Sequence, residues 1–148
     1  GRRRGQAPGA QYGFRLKMSP RYTLPREAVI GLLEAYCAFE IDRIVDSKDF
    51  ESDARIYWEN QGLPVSAERL AKSRLSFENN FRKQLQSGIP NYADFRFKVT
   101  AEEQLQTNFV IVTLVGAKAD GNKFSLKIPV LQTSLGWRVV LHPEYDHF

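Results

Sequence analysis

Residues 109–131 read FVIVTLVGAKADGNKFSLKIPVL, two apolar runs on either side of the dipeptide Asp120-Gly121. An Asp-Gly dipeptide between such runs is a strong signal for a tight β-hairpin, because both central residues of a type I′ turn adopt positive φ. The pattern therefore predicts two antiparallel strands, 109–118 and 123–131, joined by a two-residue turn.

The predicted turn also sets which side chains of the hairpin share a face. If Ala119 pairs with Asn122, then Ile111 lies opposite Val130 on the face that covers the core. The other face then carries Val110, Val112, Leu114 and Leu131. A sheet with two apolar faces needs two partners, so we predict that helices cover one face and a second copy of the chain covers the other. These four residues are the interface candidates for a homodimer.

Strands are also predicted on both sides of the hairpin. Phe95, Phe97 and Val99 alternate with charged residues, which indicates a strand with one face in water. A turn at Ser134-Leu135-Gly136 leads into a last strand, 137–141. The second half of the chain is thus predicted to be an antiparallel sheet.

Two long helices are predicted before the sheet. Thr23 and Pro25 begin the first, which runs over 26–46 without a further proline. Ser66 caps the second, which carries an apolar stripe and ends at Ser87-Gly88.

The stretch between the two helices has a weaker pattern. We interpret 47–54 as a turn and short helix, and the β-prone residues 56–58 as a brief strand that Asn60-Gln61-Gly62 ends.

This order of elements resembles the NTF2-like (nuclear transport factor 2-like, cystatin-like α+β cone) superfamily over about residues 24–141. The resemblance is carried by the long first helix, the Tyr57-Trp58 strand, Gly62-Leu63-Pro64-Val65-Ser66 before the next helix, and the closing Gly136-Trp137-Arg138-Val139-Val140. It implies an α+β fold with N-terminal helices packed on a curved antiparallel sheet, a cone whose mouth can hold a ligand, and dimerisation through the outer sheet face. Members include isomerases and dehydratases as well as non-catalytic assembly, transport and secretion-system domains.

Charge divides the chain unevenly. Residues 1–26 hold seven basic side chains and no acid, which leaves 14 basic and 17 acidic residues in the remainder, a net charge of about −3. The 148 residues suffice for one domain, so we predict a basic flexible tail or linker at 1–22 and a single domain at 23–148. Basic residues of the body alternate with acids, and we predict that the folded body does not bind nucleic acid.

The basic tail suggests where in the cell the protein is located. The chain begins with Gly and has three consecutive arginines at 2–4, a pattern found on the cytoplasmic side of a membrane span. We expect an exported or membrane-tethered bacterial protein, with an upstream anchor or domain, rather than a cytoplasmic one. A solvated linker or an expression scar is the alternative interpretation of the same residues.

Glu40 is the polar exception on the inward face of the predicted first helix. It would serve as a base or as a hydrogen-bond anchor for a ligand, or else form an internal ion pair with Arg43 or Arg74. The pocket candidates are Glu40, Tyr36, Tyr57, Trp58 and Arg74.

The histidines and the single cysteine do not indicate a catalytic site. His142 and His147 are expected at the surface, Cys37 is expected to be a small buried hydrophobe, and we predict no cofactor and no metal. The sequence therefore favours a non-catalytic binding or assembly domain, dimeric and tethered to a membrane or larger protein. The alternatives are a small-molecule isomerase or dehydratase-like enzyme and a carrier of a small apolar ligand in the cone.

Overall fold

The computed structural model describes residues 20–148, so most of the predicted tail at 1–22 lies outside the described residues. Four helices come first: α1 (Pro25–Cys37), α2 (Ile41–Asp46), α3 (Phe50–Asn60) and α4 (Ala67–Ser87). Four strands follow: β1 (Phe95–Gln106), β2 (Phe109–Lys118), β3 (Lys123–Thr133) and β4 (Gly136–Val139). They form one antiparallel sheet in the order β1-β2-β3-β4, which confirms the predicted α+β class with helices before the sheet.

The core lies between α1 and one face of the sheet. Helix α1 contacts β2, β3 and β4, and it buries one broad apolar face that includes Val29, Leu32 and Tyr36. Two irregularities in the β1–β2 pairing interrupt the ladder, and bulges of this kind bend a sheet around what it covers. The predicted curved sheet packed on a helix is therefore confirmed. Among residues 20–148, no helix is long and apolar enough to span a bilayer.

The hairpin register differs by one residue from the prediction. The Lys118 N–H donates to the Asn122 carbonyl at 2.8 Å and the Gly121 N–H to the Lys118 carbonyl at 3.0 Å, so the loop has three residues and not two. Gly121 takes the left-handed conformation, φ 91°, that closes such a three-residue loop. Val112 consequently pairs with Ile128, and Val110 with Val130.

This shift overturns the predicted dimer face. A slip of one residue moves every side chain of a strand to the opposite face of the sheet. Val110, Val112 and Leu114 are therefore buried in the core of the protomer, with 6%, 0% and 1% of their surface exposed. Leu131 pairs with Phe109 and is half-buried. Three of the four interface candidates thus face the helices and not solvent.

The predicted helix over 26–46 is in fact two helices. Helix α1 ends at Cys37, and Phe39 takes a left-handed φ of 56° while its N–H donates to the Tyr36 carbonyl at 3.0 Å. Glu40 is then extended and precedes α2. The bend allows Ile44 to pack in the core, so tertiary packing outweighs local helix propensity here. Cys37, predicted to be buried, is exposed at the end of α1.

Residues 56–58, predicted as a strand, lie inside α3. The Asp49 side chain caps this helix by accepting the Ser52 N–H at 3.1 Å. Helix α3 packs along α4, where Tyr57 meets Phe77 edge to face, and this contact outweighs the β propensity of the segment. Helix α4 begins as predicted.

Arg138, fully buried, ties the N-terminal segments to β4. Its guanidinium donates to the Asp46 carbonyl at 2.7 Å and to the Pro20 carbonyl at 2.6 Å. Tyr22 forms a parallel bridge with Gly136, and Lys48 forms another with Val139. The segments before α1 and after α2 therefore lie along the free edge of β4.

Candidate functional site

A cavity of about 700 Å³ lies between α3, α4 and the C-terminal segment, residues 139–148. Its volume falls within the roughly 300–1,000 Å³ of small-molecule sites. Much of its lining is aromatic, contributed by Tyr36, Tyr57, Phe77, Phe81, Tyr145 and Phe148.

A buried ion pair forms the floor of this cavity. The Lys48 ammonium lies 3.4 Å from Asp53 Oδ2, and the two side chains are 5% and 1% exposed. Lys48 Nζ also donates to the Val139 carbonyl at 3.2 Å, and Asp53 Oδ1 accepts the Leu141 N–H at 2.9 Å. Asp53 Oδ2 has no hydrogen-bond partner in the described part of the chain. The partner of this oxygen is the Lys48 ammonium, as an ion pair.

Two local features place the floor residues. The parallel bridge to Val139 fixes the backbone of Lys48 at the edge of β4. Asp53 lies in the first turn of α3, where the helix dipole favours a carboxylate. Neither residue was predicted as a site residue, because the sequence pattern of 47–54 indicates only a turn and short helix. The available signal was an Asp–Lys pair on either side of the cap Asp49, but nothing in the sequence marks it as buried.

Burial raises the pKa of two residues that line the cavity, Asp53 and Tyr36. It raises the pKa of the Asp53 carboxyl, and the Lys48 charge and the Leu141 N–H oppose this rise without cancelling it. Burial, with a smaller contribution from Tyr92, raises the pKa of Tyr36 to about 12. Tyr36 therefore presents a neutral phenol to the cavity at physiological pH.

The C-terminal segment forms one wall of the cavity. The Asp146 N–H donates to the Lys127 carbonyl at 3.0 Å, and the Asp146 carboxylate accepts the Lys127 N–H at 2.8 Å. Beyond this anchor, Phe148 packs edge to face against Tyr36, with ring centroids 6.0 Å apart. His142 and His147, which were expected at the surface, line the cavity; His142 is half-buried and His147 is exposed.

The structure brings together only part of the predicted pocket. Tyr36 and Tyr57 line the cavity, whereas Trp58 is not among its lining residues. The Trp58 indole donates to Ser73 Oγ at 2.7 Å, and the Arg69 guanidinium lies 4.9 Å from the ring centre. Trp58 thus packs on the side of α3 that faces α4 and its start.

Glu40 and Arg74, the other two predicted pocket residues, lie outside the cavity. The bend at Phe39 takes Glu40 off the inward face, so its side chain is 62% exposed and lies 3.8 Å from Arg43. The ion pair with Arg43 therefore exists, but at the surface and not inside. Arg74 pairs with Glu78 at 3.3 Å on α4. Neither residue lines the cavity. Within residues 20–148, no group of three or more His, Cys, Asp or Glu side chains is placed to hold a metal ion.

No protein-family model matches the chain, and no curated protein matches it. Among solved structures it is similar to a Campylobacter jejuni protein named as a candidate NTF2-like transpeptidase, with 8% sequence identity and a TM-score of 0.49. The match covers 80% of this chain and 99% of that one.

Proposed function

We propose that this chain is a non-catalytic binding domain that holds a small, largely apolar molecule in the cavity. The observation that carries the proposal is the combination of about 700 Å³ of concave space, aromatic walls and one buried ion pair. Ligand sites in soluble proteins have this composition, with many apolar contacts for affinity and a few polar groups for orientation.

The energetics of the floor support a role in recognition. Replacing a buried ion pair with well-packed apolar residues is often neutral or stabilising, so such a pair is weak evidence for a role in stability. Lys48 and Asp53 belong to the lining of the cavity, with side chains that are 5% and 1% exposed. A ligand at this end of the cavity would lie against the pair.

The contacts of Asp53 favour binding over proton transfer. One oxygen accepts the Leu141 N–H, and the other faces the Lys48 ammonium. A carboxylate held in this way is oriented and charge-balanced, which suits an anchor more than a base that must gain and lose a proton.

An isomerase or dehydratase-like enzyme is the second candidate. The observation in its favour is the raised pKa of Asp53, because a carboxyl whose pKa is moved toward neutrality is suited to acid–base catalysis. Asp53 would replace Glu40 as the base, since Glu40 lies outside the cavity. Retention of turnover by Asp53→Asn on any substrate found for this chain would exclude that role.

A neutral fluorescent dye tests the proposed binding. Nile red brightens when it enters an apolar site, so we expect saturable enhancement with the unmodified chain. Gln84 is exposed on α4 and lines the cavity, whereas Lys83 is exposed on the same helix and does not. Gln84→Trp should therefore suppress dye binding and Lys83→Trp should preserve it. Equal binding by both variants, or no saturable binding by the unmodified chain, would overturn the proposal.

The homodimer and the tether to a membrane or larger protein remain predictions. The β2 residues named for the interface are buried in the protomer, so a homodimer would have to use another surface. Sedimentation equilibrium of the purified chain measures the subunit number directly.

A further inference from the structure

We propose that the free edge of β1 pairs in antiparallel orientation with the same edge of a second copy of the chain. In this pairing Lys98 of one copy lies opposite Glu103 of the other. The four-stranded sheets of the two copies then form one continuous sheet. This inference names a surface for the predicted homodimer, and it does not depend on the binding of a ligand in the cavity.

The two edges of the sheet are covered to different extents. At one edge, Tyr22 and Lys48 form bridges to β4, and Asp146 exchanges hydrogen bonds with Lys127 of β3. At the other edge, no strand or bridge of residues 20–148 lies beside β1 on the side away from β2. Every second residue of such an edge strand directs its N–H and C=O groups outward. Strand β1 therefore presents a row of backbone groups that another strand can pair with.

Lys98 and Glu103 lie on the same face of the sheet. They are five residues apart, and a regular strand would place such residues on opposite faces. The irregularity after Val99 changes this, because Lys98 pairs with Val115 and Glu103 pairs with Ile111. These two β2 residues alternate with the core residues of that strand. Both charges therefore lie on the outer face, where both side chains are exposed.

The two charges are placed symmetrically about Ala101. Counted along β2, the partner of Ala101 is two residues from the partner of Lys98 and two residues from the partner of Glu103. A two-fold axis at Ala101 therefore brings Lys98 of each copy opposite Glu103 of the other. Opposite charges at directly paired positions of antiparallel strands attract each other, whereas like charges there repel.

The order of charges along β1 favours a second copy over other strands. Charged side chains on an edge strand usually prevent pairing with further chains. On β1, however, the bases Arg96 and Lys98 lie in the first half and the acids Glu102 and Glu103 in the second half. Antiparallel pairing of two copies sets bases against acids, so the charges that repel many strands attract this one.

The pair that the proposal uses is available in the protomer. Glu102 forms an ion pair with Arg26 of its own copy. By contrast, no ion pair among residues 20–148 includes Lys98 or Glu103. Pairing uses the free edge of both copies and leaves the covered edges outside, so assembly stops at the dimer. Because each copy contributes a single strand, we expect a dimer that dissociates on dilution.

Charge reversal at the two positions tests the pairing. Lys98→Glu sets two acids against each other at both pairs, and Glu103→Lys sets two bases against each other. We therefore expect each variant to dimerise about tenfold more weakly than the unmodified chain in sedimentation equilibrium. An equimolar mixture of the two variants should dimerise again, because the acids of one copy then face the bases of the other at both pairs.

Lys123→Glu is the matched control. Lys123 is exposed on β3 and pairs with Ala117, so it lies on the same outer face but away from the free edge. This reversal should leave the dissociation constant of the dimer unchanged. Circular dichroism would establish that all three variants are folded.

Hydrogen exchange gives an independent measurement of edge pairing. At concentrations where the unmodified chain is dimeric, alternate backbone amides within residues 96–104 should exchange more slowly than in the monomer, because they gain hydrogen bonds to the second copy. Slower exchange confined to other elements would contradict the proposal.

The sedimentation results can also overturn it. A chain that stays monomeric up to about 1 mM would show that the edge does not pair with itself. A dimer that Lys98→Glu leaves intact, or that Lys123→Glu weakens as much as Lys98→Glu does, would place the interface elsewhere. A mixture of Lys98→Glu and Glu103→Lys that stays monomeric would show that these two positions do not meet.

Discussion

The Asp53 carboxylate accepts a hydrogen bond of 2.9 Å from the backbone N–H of Leu141, a residue 88 positions further along the chain. Asp53 opens α3, and Leu141 follows the last strand, so this bond joins the two ends of the fold at the cavity floor. Lys48 makes the parallel connection through the Val139 carbonyl. The Lys48–Asp53 pair is thus held in place only when the helices and the sheet are assembled. Its contribution can therefore be measured as a change in the free energy of unfolding as well as in ligand binding.

Removing the cation of the floor should destabilise the fold. Lys48→Met leaves the Asp53 carboxylate buried without a counterion, and we expect a loss of about 3–5 kcal/mol in the free energy of unfolding at neutral pH. Urea denaturation measures this loss. Lys72, which pairs with Glu68 at the surface, is the control, and Lys72→Met should change stability by less than about 1 kcal/mol. Equal effects of the two substitutions would show that the floor pair contributes no more than a surface pair.

Stability should depend on pH through Asp53. The folded chain holds the Asp53 proton more tightly than the unfolded chain, where an Asp carboxyl titrates near about 3.9. Between that value and the raised pKa of the folded state, folding binds a proton, so the contribution of Asp53 is complete in acid and is lost as the pH rises. Asp53→Asn cannot titrate and serves as the reference.

We therefore expect the free energy of unfolding of the unmodified chain, relative to Asp53→Asn, to fall as the pH rises from about 4 towards neutrality. Urea denaturation of both proteins across this range gives the difference. A difference that rises with pH would mean that Lys48 outweighs burial and lowers the pKa of Asp53.

The inward direction of β2 can be tested by truncation. Leu114 is 1% exposed, so Leu114→Ala should cost about 2–5 kcal/mol by leaving a cavity in the core. Leu105 is 42% exposed on β1, and Leu105→Ala should change stability by about 0.5 kcal/mol or less. Val112→Arg should prevent folding, where the originally predicted register would have it only weaken a dimer. A well-folded monomeric Val112→Arg protein would favour the originally predicted register.

The bend between α1 and α2 can be tested by glycine substitution at Phe39. Phe39 holds a left-handed φ of 56° although its side chain is 47% exposed. This conformation costs a residue with a Cβ about 1–2 kcal/mol, a cost that glycine avoids. Alanine and glycine both remove the ring, so we expect Phe39→Gly to be more stable than Phe39→Ala by about 1 kcal/mol in urea denaturation. A Phe39→Ala protein that is the more stable of the two would indicate a continuous helix at this point.

The elements that the sequence predicts correctly have strong local signals. Helix α4 was predicted from the Ser66 cap and from the apolar stripe within it. Strand β1 was predicted from the strict alternation of apolar and charged residues that begins at Phe95. The errors arise where tertiary contacts decide. Nothing near Phe39 resembles a helix breaker, and the hairpin loop differs from the predicted turn by a single residue, which suffices to invert both faces of β2.

The cavity was predictable only in part. Tyr36 and Tyr57 could be proposed because aromatic residues near a cone mouth form walls. Lys48 and Asp53 could not, because charged residues in a short connecting segment are usually solvated, and their burial depends on β4 and the C-terminal segment, about 90 residues away.

The most direct test of the proposed binding site is an amide chemical-shift titration of the isotopically labelled chain with Nile red. The Leu141 N–H reports on Asp53, and we predict that it shifts most, together with the amides of Lys48, Asp53 and Tyr57. The amides of Asp120 and Gly121, in the distant hairpin loop, should not move. Shifts confined to the loop or to the outer sheet face, with Leu141 unchanged, would contradict a ligand site built on the Lys48–Asp53 pair.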